Sequence, residues 1–265
     1  MAEYLEKVRR ATMAMTDAQR LRDEAIIEAV RHGVTQAEAA KAAKLTRQRV
    51  GQIMQGIGTA ERAFWGAPDE GIVIAVGEKI EAPKDASGPL GPVVTTEARE
   101  AYDILRALAE QMGIDAEYEP IAPPGFVNLN REGLIVICGP RLSPMVAQVL
   151  ESDQVLTFGK DAAGWHLADQ RTGKTWHSPL DTGELADISY LGRLPRPDGR
   201  GTFLYIGGIH AGGTAGAASY LSQNLPELWS GVKSARFSAL IRCTLSEARK
   251  VMSCELVAGP YVHEK

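Results

Sequence analysis

Residues 205–221 read YIGGIHAGGTAGAASYL, and this stretch decides the fold class. An apolar run ends in paired glycines, a glycine-rich turn with one histidine follows, and the remainder has a helical composition. A strand that enters a helix through such a turn is typical of α/β domains, and the helix N-terminus offers N–H groups to anions. The stretch therefore predicts a strand, a phosphate-binding turn and a helix. A catalytic loop and a tight turn without a ligand are the alternatives.

A second stretch also has the pattern of a strand followed by a loop and a helix. Residues 133–139, GLIVICG, form a continuous apolar run typical of a central parallel strand, and SPMVAQVLES continues as a helix. Ligands of open α/β sheets bind at the carboxyl ends of the strands, where these two loops should meet. We therefore predict one anion site, in which Arg141 supplies charge and Thr214 a hydroxyl. Its predicted residues are Gly139, Pro140, Arg141, Ser143, Asp187, Gly207, Gly208, His210, Gly212, Gly213 and Thr214.

Two of these residues have competing interpretations. His210 could be a general base or a hydrogen-bonding ligand contact, and Asp187 could hold a ribose hydroxyl, orient a base or cap a strand. The chain has no Walker A loop, G-x-S-x-G elbow or H-E-x-x-H helix, and the glycine spacing does not match the dinucleotide fingerprint. No complete set of catalytic groups emerges, so no catalytic residue is predicted.

The surrounding sequence alternates between helix and strand patterns. Residues 95–113 have the apolar spacing of an amphipathic helix, and residues 154–178 alternate polar and apolar residues around glycine turns. We predict an α/β domain with a mostly parallel sheet and an inserted β meander. His166 and His177 fall in this meander. Their spacing along the chain does not match a metal-binding motif, so we interpret them as part of a half-buried sheet and predict no metal.

Charge and cysteine content narrow the class of protein. Residues 1–62 carry 11 Lys and Arg against 8 Asp and Glu, whereas the remainder carries 18 against 25. A basic head on an acidic body suits a nucleic-acid-binding domain joined to a body that does not bind nucleic acid. The three cysteines fit neither a disulfide framework nor a zinc site. With no signal peptide and no membrane-spanning stretch, we expect a cytoplasmic, nucleoid-associated protein with buried thiols.

The first sixty residues predict a small helical domain. Leu21, Ile26, Ile27 and Val30 recur at helical spacing, and Gly33 can end that helix. Thr35 and Glu38 have the spacing of a capping box that starts a second, alanine-rich helix. Thr46 can cap a third helix, RQRVGQIMQ. A three-helix bundle used for protein contacts is one interpretation of this pattern.

The core sequence GVTQAEAAKAAKLTRQRVGQI, within residues 16–56, resembles the helix-turn-helix of bacterial transcription regulators. Lys44 departs from the glycine that this family often has at the turn. The resemblance implies binding to double-stranded DNA as a homodimer or higher homo-oligomer, with the third helix in the major groove. Arginine suits guanine edges or phosphates, and glutamine suits adenine edges. The implied DNA contacts are Thr35, Gln36, Thr46, Arg47, Gln48, Arg49 and Gln52.

The sequence thus predicts three regions: a helix-turn-helix domain over 1–60, a connector with one strand over 61–92, and an α/β sensing or oligomerisation domain over 93–265. The Gly-Gly-Thr step is similar to phosphate loops of Rossmann-like nucleotide-sensing and nucleotide-processing domains, which implies a phosphate-bearing or nucleotide-like effector. No particular cofactor is predicted. We predict a transcriptional repressor rather than an enzyme. A nucleotide- or nucleoside-processing enzyme with a DNA-binding head, and an effector-free DNA-binding oligomer, are the alternatives.

Overall fold

The computed structural model divides the chain into two compact units, Met1–Ala60 and Glu61–Lys265, called here the N-terminal and C-terminal units. It describes residues 33–51, 71–81 and 91–263 as continuous segments. It also describes shorter pieces, at residues 4, 7, 15, 18, 19, 21–23, 25–30, 53 and 63–66. Each unit is considered by itself below.

The N-terminal unit contains helix α1, Gln36–Ala43. Its capping box forms as the sequence predicts: Glu38 N–H donates to Thr35 Oγ1 at 3.3 Å, and Thr35 N–H donates to Glu38 Oε2 at 3.0 Å. The helix ends at Lys44, whose left-handed φ of 55° reverses the chain. Helical residues on both sides, 25–30 and 47–51, pack onto α1. Their shared core consists of Ile26, Ala39, Ala40, Val50 and Ile53.

The C-terminal unit is built around a seven-stranded sheet in the order β12-β11-β9-β10-β5-β1-β4. Strands β4, β1, β5 and β10 run parallel, whereas β9, β11 and β12 add antiparallel pairs. The predicted α/β class is confirmed, in a sheet that has one parallel and one antiparallel half. The strands are β1 Ile72–Gly77, β4 Ala116–Ile121, β5 Leu134–Ile137, β9 Ala186–Pro195, β10 Thr202–Gly208, β11 Phe237–Leu245 and β12 Val251–Val262.

Among the described residues of this unit, three helices cover the two faces of the sheet: α2 Thr96–Gln111, α3 Pro144–Leu150 and α4 Ala211–Val232. Helices α2 and α4 share one apolar layer with Ile72, Ile74 and Val76, whereas α3 lies in the opposite layer with Val73 and Ala75. Strand β1 therefore alternates its side chains between two cores, as a central strand must. All six of its residues are buried.

The described part of the unit also contains two small sheets. Strands β2 Lys79–Glu81 and β3 Gly91–Val93 pair antiparallel directly after β1. Strands β6 Leu156–Asp161, β7 Gly164–Asp169 and β8 Lys174–His177 form the antiparallel meander that the sequence predicts. Within the described residues, no helix has both the length and the apolar character needed to cross a bilayer.

The aromatic pair that precedes β1 belongs to the same core. Phe64 and Trp65 are buried, and the guanidinium of Arg193 lies 4.7 Å from the centroid of the Phe64 ring. Arg193 also donates to the carbonyls of Phe64, Lys233 and Ala235 at 2.7–2.8 Å. Burial lowers the pKa of this guanidinium to about 10. Arg193 therefore joins the start of the unit to the end of α4.

Candidate functional site

A cleft of about 440 Å³ opens at the carboxyl ends of the parallel strands. Gly77 at the end of β1, Cys138 after β5 and Gly208 at the end of β10 line its floor. This is the edge at which ligands bind in open α/β sheets, because parallel strands end there and their helices begin. The topology therefore places the two loops singled out from the sequence in one cleft.

Two helices begin at the cleft. Thr95 caps α2 by accepting from Ala98 N–H at 3.2 Å, and both residues line the cleft. Helix α4 begins after His210, and Ala211 lines the opposite side. Helix geometry gives the first amides of each helix no partner within the helix, and the helix dipole favours negative charge at this end. At α4 the Asp187 carboxylate already accepts from His210 N–H and Gly213 N–H, so an anion would rely on the remaining amides and on the basic side chains of the cleft.

The side chain that caps helix α4 comes from strand β9, because the N-cap residue His210 makes no capping hydrogen bond with its own side chain. Asp187 in β9 has both oxygens buried: Oδ2 accepts from His210 N–H at 3.0 Å and Gly213 N–H at 2.7 Å, and Oδ1 accepts from Ile188 N–H and the Ser178 hydroxyl. Burial raises the pKa of Asp187, although these donors oppose the shift. Four donors occupy the carboxylate, so Asp187 positions the turn and does not line the cleft.

The glycines of the turn have a steric role. A Cβ on Gly208 would overlap the His210 carbonyl oxygen, and a Cβ on Gly213 would lie 2.7 Å from the Ile188 carbonyl oxygen. A Cβ on Gly212 would lie 2.7 Å from Leu245. These glycines allow α4 to approach β9 and β11 closely. Gly208 N–H also donates to Thr214 Oγ1 at 2.9 Å. Because Oγ1 is the acceptor in this bond, the Thr214 hydroxyl can still donate its own proton to another group.

The side chains that can carry charge in the cleft are basic ones. Lys79, Arg141 and His210 line it, and no carboxylate occurs among the lining residues that the structure describes. Arg141 Nη2 donates to the Ile209 carbonyl at 3.2 Å, and its guanidinium lies 5.6 Å from the centroid of the Trp165 ring. Arg141 thus bridges the β5–α3 loop, the glycine turn and the meander. The cleft can neutralise a ligand with negative charge.

His210 has an acidic partner that the sequence analysis did not find. Its Nε2 lies 2.7 Å from Asp181 Oδ1, in the 3-10 helix Pro179–Thr182 that follows β8. Both side chains are about one-third exposed. A carboxylate fixes the tautomer and orientation of an imidazole that it bonds. No local signal marks Asp181, because the pair is made by two loops 29 residues apart.

Cys138 places a buried thiol at the cleft. Burial raises the pKa of Cys138 to about 12, and its Sγ lies 3.5 Å from the Gly139 carbonyl. The reactive form of cysteine is the thiolate, which is scarce at neutral pH when the pKa is this high. Cys138 therefore contributes an apolar surface to the cleft floor.

The structure separates the predicted ligand residues into two groups. Gly139, Arg141, Gly208, His210 and Thr214 line the cleft. Pro140, Ser143, Asp187, Gly207, Gly212 and Gly213 are not among its lining residues. Ser143 is buried, caps α3 and donates to the Gly125 carbonyl at 2.6 Å. The lining residues that the sequence analysis missed include Gly77, Lys79, Thr95, Ala98 and Cys138, which come from β1, the β2–β3 pair, the start of α2 and the end of β5.

The predicted DNA contacts lie at the surface of the N-terminal unit. Thr35, Thr46, Arg47, Gln48 and Arg49 are exposed, Gln36 is half-buried, and Gln52 lies outside the described residues. Thr46 Oγ1 accepts from Arg49 N–H at 3.1 Å, which caps the helical residues after it. Val50 on the same helical segment is fully buried. The segment therefore has one buried apolar face and one exposed polar face.

Comparison with protein-family models, curated proteins and solved structures finds no match to this chain. The features of this chain that bear on function are the basic cleft at the strand ends and the exposed polar residues 46–49.

Proposed function

We propose that this chain is a DNA-binding transcriptional regulator, a repressor, whose Rossmann-like C-terminal unit binds a phosphate-bearing or nucleotide-like ligand. The ligand proposal is supported by one observation about the cleft. The first residues of two helices line it together with Lys79 and Arg141, and no carboxylate occurs among its described lining residues. Ligand binding would change the affinity for DNA by favouring one geometry of a homodimer.

Support for DNA binding comes from the N-terminal unit. The segment that begins at Thr46 buries Val50 against α1 and exposes Arg47, Gln48 and Arg49. In a helix-turn-helix, the first residues of the second helix read base edges, and arginine forms bidentate hydrogen bonds to guanine. The turn at Lys44 and the buried Ala39 and Ala40 fit the close helix approach of that motif.

The DNA-binding proposal is tested with duplexes that the wild-type chain selects from a random library. The double variant Arg47→Ala/Arg49→Ala should lose roughly 30-fold or more in affinity in a gel shift, since each good base contact contributes about 1–3 kcal/mol. The matched control is Arg106→Ala/Arg200→Ala, which removes the same charge from exposed positions of the C-terminal unit. An equal loss in both variants, or no enrichment of any duplex, would contradict sequence-specific binding.

The ligand proposal is tested by thermal unfolding with inorganic phosphate, pyrophosphate, sugar phosphates and nucleotides. A ligand present at about 100 times its dissociation constant should add about 2.7 kcal/mol to stability. Arg141→Ala should weaken that ligand about tenfold or more, because hydrogen bonds to charged groups contribute about 1.5–3 kcal/mol. Arg200→Ala, outside the cleft lining, is the control. If no compound in the panel raises the melting temperature, the effector-free alternative is favoured.

A second function, nucleotide or nucleoside hydrolysis, is favoured by one observation: the 2.7 Å contact between Asp181 and His210 at the cleft. With Asp181 accepting the Nε2 proton, Nδ1 of His210 is left as the base that could take a proton from water. Turnover of a nucleotide panel by the wild-type chain, lost in both Asp181→Asn and His210→Ala while ligand binding persists, would establish the enzyme. Binding without turnover favours the regulator.

A further inference from the structure

We infer that the meander β6–β8 binds one divalent transition-metal ion of the zinc class through Asp161, His166 and His177. The three side chains come from three different strands and lie outside the described lining of the cleft. Their potential ligand atoms all lie within 4.8 Å of one another.

Antiparallel pairing creates this cluster. Gly159 of β6 pairs with His166 of β7, and His166 pairs with His177 of β8. Directly paired residues lie on the same face of a sheet, and Asp161 shares the face of Gly159 because it lies two residues further along. The spacing of these residues along the chain does not match a metal-binding motif, whereas the register brings both imidazoles and one carboxylate together.

Two of the three distances between ligand atoms fit coordination of one ion, and the third is within 4.8 Å. His177 Nε2 lies 3.0 Å from Asp161 Oδ2, and His166 Nδ1 lies 3.4 Å from the same oxygen. Zinc binds nitrogen and carboxylate oxygen at about 2.0–2.2 Å in a tetrahedron, so two ligand atoms stand roughly 3.3–3.5 Å apart. Both contacts are within a few tenths of an ångström of that separation.

His166 provides a buried and unused ligand atom. Its Nδ1 is buried, and although Asp161 is near, it makes no hydrogen bond with any described group. Buried polar atoms normally have a partner. The ring is seated over Gly159, where a Cβ would overlap Nε2, so its orientation depends on that glycine. A metal ion would satisfy Nδ1 where the present neighbours do not.

The carboxylate is also held in position. Asp161 Oδ1 accepts from Ala163 N–H at 2.8 Å, and the His166 and His177 rings stand 5.1 Å apart between centroids. In metal sites, a hydrogen bond to one oxygen of a carboxylate commonly orients the other oxygen toward the metal. A simple ion pair between Asp161 and His177 would explain one contact, but it would give the Nδ1 atom of His166 no partner.

The ligand set selects the class of ion. Two imidazoles and one carboxylate suit zinc, cobalt, nickel or copper, whereas magnesium and calcium prefer oxygen ligands alone. Three protein ligands leave a coordination position for water. His177 and Asp161 are one-third to one-half exposed, so an ion can reach the cluster from solvent.

The test uses the full-length chain without a histidine tag, stripped with a chelator and titrated with Zn²⁺ against a chromogenic chelator. We expect one ion per chain, and a visible tetrahedral absorption band when Co²⁺ replaces Zn²⁺. Asp161→Asn, His166→Gln and His177→Gln should each weaken binding at least about tenfold, since even changes to outer-sphere partners cost about 10–100-fold. His263→Gln, which removes a histidine outside the cluster, should bind normally.

The Asp161→Asn variant separates loss of metal binding from loss of folding. Asn retains the Oδ1 atom that accepts from Ala163 N–H, and the side chain is half exposed. Its melting curve without metal should match that of the wild-type chain, while its metal affinity falls. Stoichiometric binding that persists in all three variants would overturn the proposal. So would the absence of Zn²⁺ and Co²⁺ binding, or equal affinity for Mg²⁺.

Discussion

Asp187 Oδ2 accepts a hydrogen bond from Gly213 N–H at 2.7 Å, so a carboxylate on strand β9 caps helix α4. The same oxygen accepts from His210 N–H, and the other oxygen accepts from the Ser178 hydroxyl. One buried side chain therefore connects the end of the meander, the glycine turn and the helix that borders the cleft.

Replacing Asp187 with Asn should lower the free energy of unfolding by roughly 2–4 kcal/mol, since each buried donor left without an acceptor costs about 1–3 kcal/mol. In the wild-type chain backbone N–H groups donate to both oxygens of Asp187. Asn has an amide nitrogen in place of one of these oxygens, and that nitrogen cannot accept a hydrogen bond. Urea denaturation measures the change. Asp181→Asn is the control: it removes a nearby but part-exposed carboxylate and should cost less than about 1 kcal/mol. Similar losses in both variants would refute the capping role.

Two glycines of α4 should respond to alanine in opposite directions. Gly213→Ala places a Cβ 2.8 Å from Asp187 Oδ2 and should destabilise the chain by about 1–3 kcal/mol, the usual cost of overpacking. Gly231→Ala meets nothing within 4 Å and should stabilise the chain by about 0.4–1 kcal/mol, because alanine restricts the unfolded chain. Melting temperatures of the two variants provide the comparison, and a stable Gly213→Ala variant would contradict the close approach.

His263 should make stability depend on pH in a defined direction. Burial lowers the pKa of this imidazole from its ordinary value of 6.5; Arg236 and Arg171 act in the same direction, and Asp153 opposes them. Because the unfolded chain binds the proton more readily, the contribution of His263 is fully present above pH 6.5 and is lost as pH falls through the lowered pKa.

The free energy of unfolding should therefore fall more steeply for the wild-type chain than for His263→Gln as pH is lowered from about 7 to 5. Glutamine can still bond Ser238, whose hydroxyl lies 2.9 Å from His263 Nε2. Parallel pH profiles for the two proteins would show that His263 does not titrate in this way.

Cys138 and Cys243, the two buried cysteines, should be protected from alkylation in the folded chain. Burial raises the pKa values of Cys138 and Cys243 from 9.0 to about 12. The reactive thiolate is therefore about a thousandfold scarcer near neutral pH than in an exposed cysteine. Mass spectrometry after iodoacetamide treatment should find both residues unmodified until denaturant is added, and rapid native labelling of Cys138 would contradict its placement in the cleft floor.

Local patterns in the sequence predict helix α2, strand β5 and the meander of the C-terminal unit. The apolar run over 133–139 contains β5, and the amphipathic pattern over 95–113 contains α2. Both signals are periodicities that reflect which face is buried. Strand order could not be read in the same way, because it depends on pairing between distant segments. The central position of β1 and the antiparallel half of the sheet are results of that pairing.

The cleft illustrates the same limit. Gly208 and Thr214 were predicted because a single turn contains them, whereas Lys79 and Thr95 enter from other elements. The partner of His210 lies 29 residues away, and the three side chains of the meander cluster meet only through strand register. Side chains that come together from separate elements produce no pattern in the local sequence, so the sequence does not predict the contact of Asp181 with His210.

The place of β1 in the sheet determines how the protein can be divided. This strand lies between β4 and β5, and Phe64 and Trp65 before it are buried in the same core. A fragment that started at residue 93 would lack a central strand, and the hydrogen-bonding edges of β4 and β5 that pair with β1 would be left without a partner. Cloning of the C-terminal unit as a separate, crystallisable piece must therefore begin upstream of Phe64.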